Sequence, residues 1–273
     1  MSAPPRHVAR HRPNTSGRDF VVGDIHGAFT LLRQALARAR FNPATDRLFS
    51  VGDLVDRGVE SPAAAEWIDK PWFHAVLGNH DAQYAFMKGG PISEDISCNG
   101  VERWWLSMPE QRFEALCQAL ARLPFAIEVE SAEGLIVLVH AGVPLDYPDW
   151  GSFAQALRDG HEGALIAALW DRESAQWAQD VTDGPERGIE PGYWLHDIAH
   201  AFHGHTPDTR NAYRPYRLSN RYYIDTGACF AHKRPGATLS LFDLTNPAEP
   251  LIALRPDTPT PRENDGSLSR ALP

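Results

Sequence analysis

The chain reads as an α/β domain, on three observations. Short apolar runs recur along it, and each closes on a glycine with an Asp, Asn or His beside it, which is where open α/β sheets place their functional loops. Between the first two runs the apolar residues switch to helical spacing. Between the second and third, Ser61-Pro62 supplies a helix start, with serine as N-cap and proline at the first helical position. The resulting order of strand and helix is that of βαβ units.

Residues 1–17 hold Arg6, Arg10, Arg12 and three prolines without apolar periodicity, so they read as a flexible basic tail. The domain is drawn over 18–254, its first strand opening at Asp19 and running through Phe20-Val21-Val22 into Gly23-Asp24-Ile25-His26-Gly27. Phe29, Leu32, Leu36 and Ala39 recur at helical spacing and predict a helix over 28–40. Arg47-Leu48-Phe49-Ser50-Val51 predicts a buried strand leading into Gly52-Asp53-Leu54-Val55-Asp56-Arg57-Gly58, and a short helix follows from Ser61 to about Asp69. Phe73 to Leu77 forms the next strand and delivers Gly78-Asn79-His80-Asp81.

After His80 the alternation loosens. Gly89-Gly90-Pro91 and Asn99-Gly100 break the segment, Trp104, Trp105 and Met108 supply bulk for core or lid packing, and Phe113, Leu116 and Leu120 mark a helix after Pro109. Residues 125–130 and 135–140, joined through Ala132-Glu133-Gly134, predict a hairpin that delivers His140. Residues 143–200 are the least regular stretch, with one helix from about Glu162 to Leu169 and a Gly/Pro-rich loop from Asp183 to Gly192. Strands at Phe202-His203 and Tyr222-Tyr223-Ile224 then carry Gly204-His205-Thr206 and Asp225-Thr226-Gly227. Beyond Leu244 the prolines at 247, 250, 256, 259 and 261 read as extended or disordered chain, with a flexible tail over 255–273.

Composition narrows the function classes. A length of 273 residues with 43% hydrophobic content suits one domain with a real core. The net charge of −9 disfavours a nucleic-acid partner. Cys98, Cys117 and Cys229 form no Cys-x-x-Cys pair, so they are expected as free thiols in a reducing compartment. Neither a secretory signal nor an apolar run of membrane-spanning length is visible, which predicts a soluble, cytoplasmic protein with no membrane partner.

The segment Gly52–Gly58 places two carboxylates and a guanidinium within five residues at a strand end. A carboxylate ligates hard cations and an Arg fork matches two phosphate oxygens, so Asp53 and Arg57 point to metal-assisted chemistry on a phosphate. An Asp–Arg pair in a Gly-flanked loop also makes a structural ion pair, and Asp, Asn and Gly make turns for ordinary reasons. Turn chemistry does not, however, explain Asp, His and Asn recurring at strand end after strand end.

Gly23-Asp24-Ile25-His26-Gly27, Gly52–Gly58 and Gly78-Asn79-His80-Asp81 resemble, in order and spacing, the signature of the phosphoprotein phosphatase family of metallophosphoesterases, most like the bacterial and bacteriophage lambda-type serine/threonine protein phosphatases. The resemblance extends to Arg122-Leu123-Pro124-Phe125, Leu169-Trp170-Asp171-Arg172, Gly204-His205-Thr206-Pro207 and Tyr223–Gly227, and so covers about residues 18–244. It implies a calcineurin-like fold, a central sandwich of two mixed β-sheets flanked by helices. It also implies two divalent metal ions, manganese first, with iron, zinc or nickel as alternatives. One would be held by Asp24, His26 and Asp53, the other by Asp53, Asn79, His140 and His205, with Asp53 bridging. Asp24 and His26, two apart in an extended segment, would face the same side.

By the same resemblance His80 is the general acid, Asp56 holds its ring, and Arg57 and Arg172 bind phosphate, while Asp225 supports the site through hydrogen bonds. His203 lies two residues before His205 and could compete with it, but the Gly-His-Thr pattern favours His205. The implied reaction is hydrolysis of a phosphoserine or phosphothreonine protein, or of a small phosphoester, by a metal-bridging hydroxide. Asp81 stands where the protein phosphatases usually carry Glu. Symmetrical dinucleoside tetraphosphate (Ap4A) hydrolases do carry Asp there, which makes that activity the alternative. They usually lack an acid at the position of Asp56, however, so Asp56 favours the phosphatase. A catalytically silent binding module on the same fold would be expected to have lost ligands, and none is missing. The sequence leaves the oligomeric state open.

Overall fold

The structure is a computed structural model that describes residues 7–87, 103–183, 194–245, 247 and 250–255. Two sheets face each other. One is five-stranded: β2 (Asp19–Val22), β3 (Arg47–Ser50) and β4 (Phe73–Ala75) are parallel, and β10 (Leu239–Asp243) and β11 (Ile252–Leu254) add to the edge of β2 antiparallel, in the order β11-β10-β2-β3-β4. The other is six-stranded and mixed: β1 (Val8–His11), β5 (Ala126–Ser131), β6 (Gly134–Val139), β7 (His200–His203), β9 (Arg221–Tyr223) and β8 (Tyr216–Leu218).

Apolar residues alternate between two destinations because successive strand side chains point to opposite faces. Val21, Phe49, Ile136, Leu138 and Phe202 meet between the sheets. Phe20, Val22, Leu48, Val137 and Val139 point outward beneath the helices. Both faces are covered, which is why these strands read as continuous apolar runs. Helix α1 (Phe29–Arg38) buries Phe29, Leu32, Ala35 and Leu36; α2 (Ala64–Ile68), preceded by a 3-10 turn over Ser61–Ala63, buries Ala64 and Trp67. Helices α3 (Asn79–Ala85) and α4 (Glu110–Leu120) complete that flank. The helices α5 (Trp150–Arg158), α6 (Glu162–Trp170) and α7 (Glu173–Asp183) connect β6 to the 194–245 segment. No helix among the described residues is long and apolar enough to cross a membrane.

Four expectations change. Within the segment expected as a flexible tail, 1–17, residues 1–6 lie outside the described residues, but β1 pairs in parallel with β5 from Val8↔Ala126 to His11↔Val129, and the backbone amide of Phe125 donates to the His7 carbonyl. Its alternation of Val, Ala, Arg and His hides an edge strand, on which charged residues are ordinary. Asn79 opens helix α3 rather than merely ending a strand. The Gly78 amide donates to the carboxylate of Asp81, an N-terminal tie that the motif contains but that apolar periodicity does not reveal. The 143–200 stretch carries three helices rather than one, and α5 starts where Asp149 accepts the Ser152 amide at 2.7 Å. Beyond Leu244 the chain returns as β11, pairing Leu254 with Leu239. The Gly89-Gly90-Pro91 and Asn99-Gly100 breaks, most of the 183–192 loop and the tail beyond Arg255 lie outside the described residues.

His11 of β1 and His74 of β4 meet with ring centroids 4.4 Å apart, each 5.2 Å from the Phe49 ring. Burial, reinforced by the charges of His11 and Arg47, brings His74 down to about 4. The unfolded chain, with its histidine near the ordinary value of 6.5, therefore takes up the proton first. The stability contributed by neutral His74 is complete above pH about 6.5 and is lost as pH falls toward about 4. His74→Phe should remove that loss. In urea unfolding between pH about 7 and about 4.5, wild type should lose about 1 to 2 kcal/mol more than the variant, and parallel pH dependences would show that His74 takes up its proton equally in the folded and unfolded states.

Candidate active site

Each site loop leaves the C-terminal end of a strand. Asp24 and His26 follow β2; Asp53, Asp56 and Arg57 follow β3; Asn79 and His80 follow β4; His140 follows β6, His205 follows β7 and Asp225 follows β9. The loops do not simply extend the strands. His26, Asp53, Asp56, Arg57 and His205 all adopt left-handed backbone, with φ of 44°, 51°, 69°, 66° and 67°. Such conformations cost non-glycine residues on the order of 1 kcal/mol or more each and gather at functional sites. Asp24 and His26 therefore converge through a turn rather than through the pleat, their Oδ2 and Nε2 atoms 4.0 Å apart. Two motif glycines allow the loops to touch: a Cβ on Gly78 would fall against the amide and carboxylate of Asp53, and one on Gly204 against the carboxylate of Asp24.

Asp53 joins the loops. Its backbone carbonyl accepts the amides of Ile25 and His26 at 3.1 and 2.8 Å, and its Oδ1 accepts the His80 amide at 3.0 Å. Its carboxylate lies 3.3 Å from His26 Nε2 and 3.5 Å from His140 Nε2. Burial alone would raise this carboxyl, but the imidazoles of His140, His80 and His26 outweigh it and hold Asp53 well below the usual range. Asp24 shifts the other way: burial, then the neighbouring Asp225 and Asp53 charges, raise it well above the carboxylate range, against the amide of His205 at 3.1 Å.

The nitrogen assignments bear on whether cations fit. His26 Nδ1 and His140 Nδ1 face the carbonyls of Val55 and Val51 at 2.8 and 2.7 Å and must donate to them, which leaves an Nε2 lone pair on each ring. His140 Nε2 and His205 Nδ1 both converge on Asn79 Oδ1, at 3.0 and 2.9 Å, and His205 Nε2 is buried without a hydrogen-bond partner. Burial lowers His140, and burial with the charges of His140 and Arg172 lowers His205 well below its ordinary value, so these rings face the amide oxygen as neutral groups. His140 Nε2 and Asn79 Oδ1 are thus two acceptors facing each other with no donor between them, an arrangement that a divalent cation stabilises. The ligand atoms of Asp53, His140 and His205 lie within 4.8 Å of one another, as do those of His26, Asp53 and His80. The residues present fit a pair of divalent cations around Asp53.

His80 directs Nδ1 at Asp56 Oδ2, 2.7 Å away, and lies beside the Arg57 guanidinium, whose Nη1 and Nη2 sit 2.7 and 2.9 Å from His26 Nε2 and His80 Nε2. Burial opposes a proton on His80, but the Asp53 charge and the Asp56 hydrogen bond outweigh it and raise its proton affinity. A guanidinium only donates, so in the arrangement drawn His80 Nε2 carries a lone pair. A proton taken up there displaces Arg57 from that nitrogen. Arg172 lies exposed at the turn between α6 and α7, within electrostatic reach of His205. Asp225 is buried and accepts the Gly227 amide at 2.9 Å. His203 stays apart from the cluster: its Nδ1 donates to the Val139 carbonyl, its ring lies 5.1 Å from that of Tyr223, and burial takes it to about 3.

Three contributing residues were not legible as such. Asp81 accepts the amides of Leu54 and Val55 on one oxygen and that of Gly78 on the other, tying the Asp53 loop to the start of α3. Tyr84 Oη and Trp104 Nε1 both donate to Asp56 Oδ1, at 2.5 and 2.7 Å. The spacing of His80 and Tyr84, four residues apart, would have signalled the second contact had a helix been read at Asn79.

Comparison with known proteins points to one family. Residues 20–232 match the family model for calcineurin-like phosphoesterases. The chain is 33% identical over 214 residues to a protein of Salmonella typhimurium named serine/threonine-protein phosphatase 1, covering 77% of this chain and 87% of that one. It is 31% identical over 182 residues to the symmetrical bis(5'-nucleosyl)-tetraphosphatase of Actinobacillus succinogenes, covering 63% and 61%. A crystal structure described as a putative diadenosine tetraphosphatase superposes with a TM-score of 0.57 over 92% of this chain and 98% of that one, at 20% identity, a likeness of fold.

Asp53→Asn should reduce bound metal at both positions, because a neutral amide takes away the shared negative charge. Elemental analysis after dialysis against manganese should find about two ions per wild-type chain and fewer than about one in the variant. Two retained ions with near-normal turnover would mean that Asp53 does not bridge.

Proposed function

The chain belongs to the calcineurin-like phosphoesterase family, and from that premise we propose that it is a binuclear, metal-dependent phosphomonoesterase acting on phosphoserine and phosphothreonine in proteins. Asp24, His26 and Asp53 would hold one cation, and Asp53, Asn79, His140 and His205 the other. A pair of divalent cations, manganese in our reading, supplies neutralisation of phosphoryl charge and an acidified water when bound. Arg57 presents its two terminal nitrogens on the open side of His26 and His80 and binds two phosphate oxygens, with Arg172 as a second clamp at the rim. The free thiols Cys117 and Cys229 suit a cytoplasmic setting.

The observation that carries the substrate reading is the bond from His80 Nδ1 to Asp56, at 2.7 Å. A carboxylate in that position orients the ring and favours a proton on it, which suits donation from Nε2 to a departing oxygen. A serine or threonine alkoxide is strongly basic and requires that proton. A nucleotide phosphate departs far more easily without it.

The second reading, symmetrical hydrolysis of a dinucleoside tetraphosphate, is favoured by Asp81 and by relatives bearing that name. The likeness to the protein phosphatase of Salmonella extends over more of both chains, which supports the first reading. The deciding experiment supplies metal-free protein with manganese, magnesium, zinc or nickel and compares phosphopeptide, nitrophenyl phosphate and dinucleoside tetraphosphate, with products identified. Exclusive cleavage of the dinucleotide would reverse the order of the two readings.

His80→Asn should lower kcat on a phosphoserine peptide by about 10² to 10⁴-fold and distinctly less on nitrophenyl phosphate, whose leaving group is stable unprotonated, with metal content unchanged. Equal losses on both substrates, with chemistry rate-limiting, would exclude proton donation by His80.

A further inference from the structure

Asp56 is wholly buried, and its side-chain contacts among the described residues are donors. One oxygen faces His80; the other accepts both the Tyr84 hydroxyl and the Trp104 indole N–H. These two donors come from different elements. Tyr84 lies one helical turn beyond His80 on α3, so one face of that short helix carries both the histidine and a brace for the carboxylate that holds it. Trp104 opens the 3-10 turn Trp104–Ser107, its ring 5.4 Å from that of Tyr84. Trp105 of the same turn stacks on Phe113 of α4 at 4.7 Å, and Phe113 also meets Tyr84 edge-on at 6.2 Å. An aromatic layer thereby fixes both donors.

Buried tyrosine and tryptophan need a partner for their O–H and N–H, and here both find it in the same carboxylate oxygen. The carboxylate can turn about both the Cα–Cβ and the Cβ–Cγ bond, and two donors on Oδ1 hold it with Oδ2 aimed at the imidazole. We infer that Tyr84 and Trp104 are positioning residues, which set turnover by holding Asp56 against His80. What His80 then does rests on the proposed function; that the two aromatics act through Asp56 is a separate claim with its own test.

The test is a double-mutant cycle on the manganese-loaded enzyme, with Tyr84→Phe and Trp104→Phe made singly and in an Asp56→Ala background. Both substitutions keep an aromatic ring and delete the donor. Each single variant should lose roughly ten-fold in kcat on a phosphoserine peptide, with KM and metal content near wild type. In the Asp56→Ala background neither should add to the loss already present, because the acceptor they brace has gone. Losses that multiply in the double variants would overturn the proposal and leave the aromatics as packing, as would single variants with wild-type turnover. Kinetics on nitrophenyl phosphate separate this from the role of His80. If His80→Asn loses equally on both substrates, proton donation fails, yet the cycle still decides whether Tyr84 and Trp104 act through Asp56. Should Trp104→Phe misfold by circular dichroism, Tyr84→Phe, a change of one oxygen atom, carries the cycle alone.

Discussion

The structure turns on a buried carboxylate, that of Asp53, which is only 1% exposed. An ionised group so far from water requires compensation, and here it comes from the His80 imidazole, whose proton affinity the Asp53 charge raises, and from the backbone amide of His80, with His26 and His140 held close by from two further loops. The Asp53 carbonyl meanwhile anchors the Asp24–His26 loop. Side chain and main chain of one residue thus bind the loops after β2, β4 and β6 into a single body. The left-handed backbone at His26, Asp53, Asp56 and Arg57 is tolerated because these contacts over-determine it.

That arrangement is unbalanced unless positive charge is brought in. Asp24 is pushed up by burial and by its acidic neighbours, while His140 and His205 are pushed down by burial, and His140 turns an Nε2 lone pair toward the Asn79 oxygen. Each of these departures has the sign that a cation would reverse or exploit: it favours ionised Asp24 and requires neutral imidazole. The protein therefore carries electrostatic strain that the cation pair proposed above would relieve. The guanidinium of Arg57, bridging His26 Nε2 and His80 Nε2, is the local positive group among the described residues that answers part of it.

The sequence was legible where function and periodicity coincide. The apolar runs at Phe20–Val22, Phe49 and Leu135–Val139 are continuous because a sandwich with helices outside buries both faces, and the motif glycines are fixed by loop-to-loop contact at Gly78 and Gly204. It was least legible where tertiary contact overrides local pattern. Val8–His11 looks like a tail because an edge strand with alternating basic residues has no apolar run to show. Helix α3 is hidden because its first residues are polar site residues and its N-terminus is tied by Asp81 through backbone amides, not by apolar spacing. Trp104 looks like bulk because its partner Asp56 lies 48 residues away, a pairing that no local signal carries.

The two kinds of site residue differ in what supports them, and this bears on how the reaction is divided. The ligand residues sit on loops braced by strands and by Asp53, so their geometry follows from the sandwich. The Asp56–His80 pair is braced instead by the helical flank, through Tyr84 of α3, Trp104 and the Phe113 ring of α4. Loosening the aromatic layer would move the carboxylate that orients His80 and leave the Asn79–His140–His205 convergence in place, because among the described residues no contact of Asp56 Oδ1 is shared with it. Under the function proposed above, such a fold would separate metal holding from proton handling and could vary one while keeping the other. That separation would give a physical route by which one set of proposed ligands serves leaving groups of very different basicity: the sandwich would stay, and what would change is how firmly the flank holds the proposed acid.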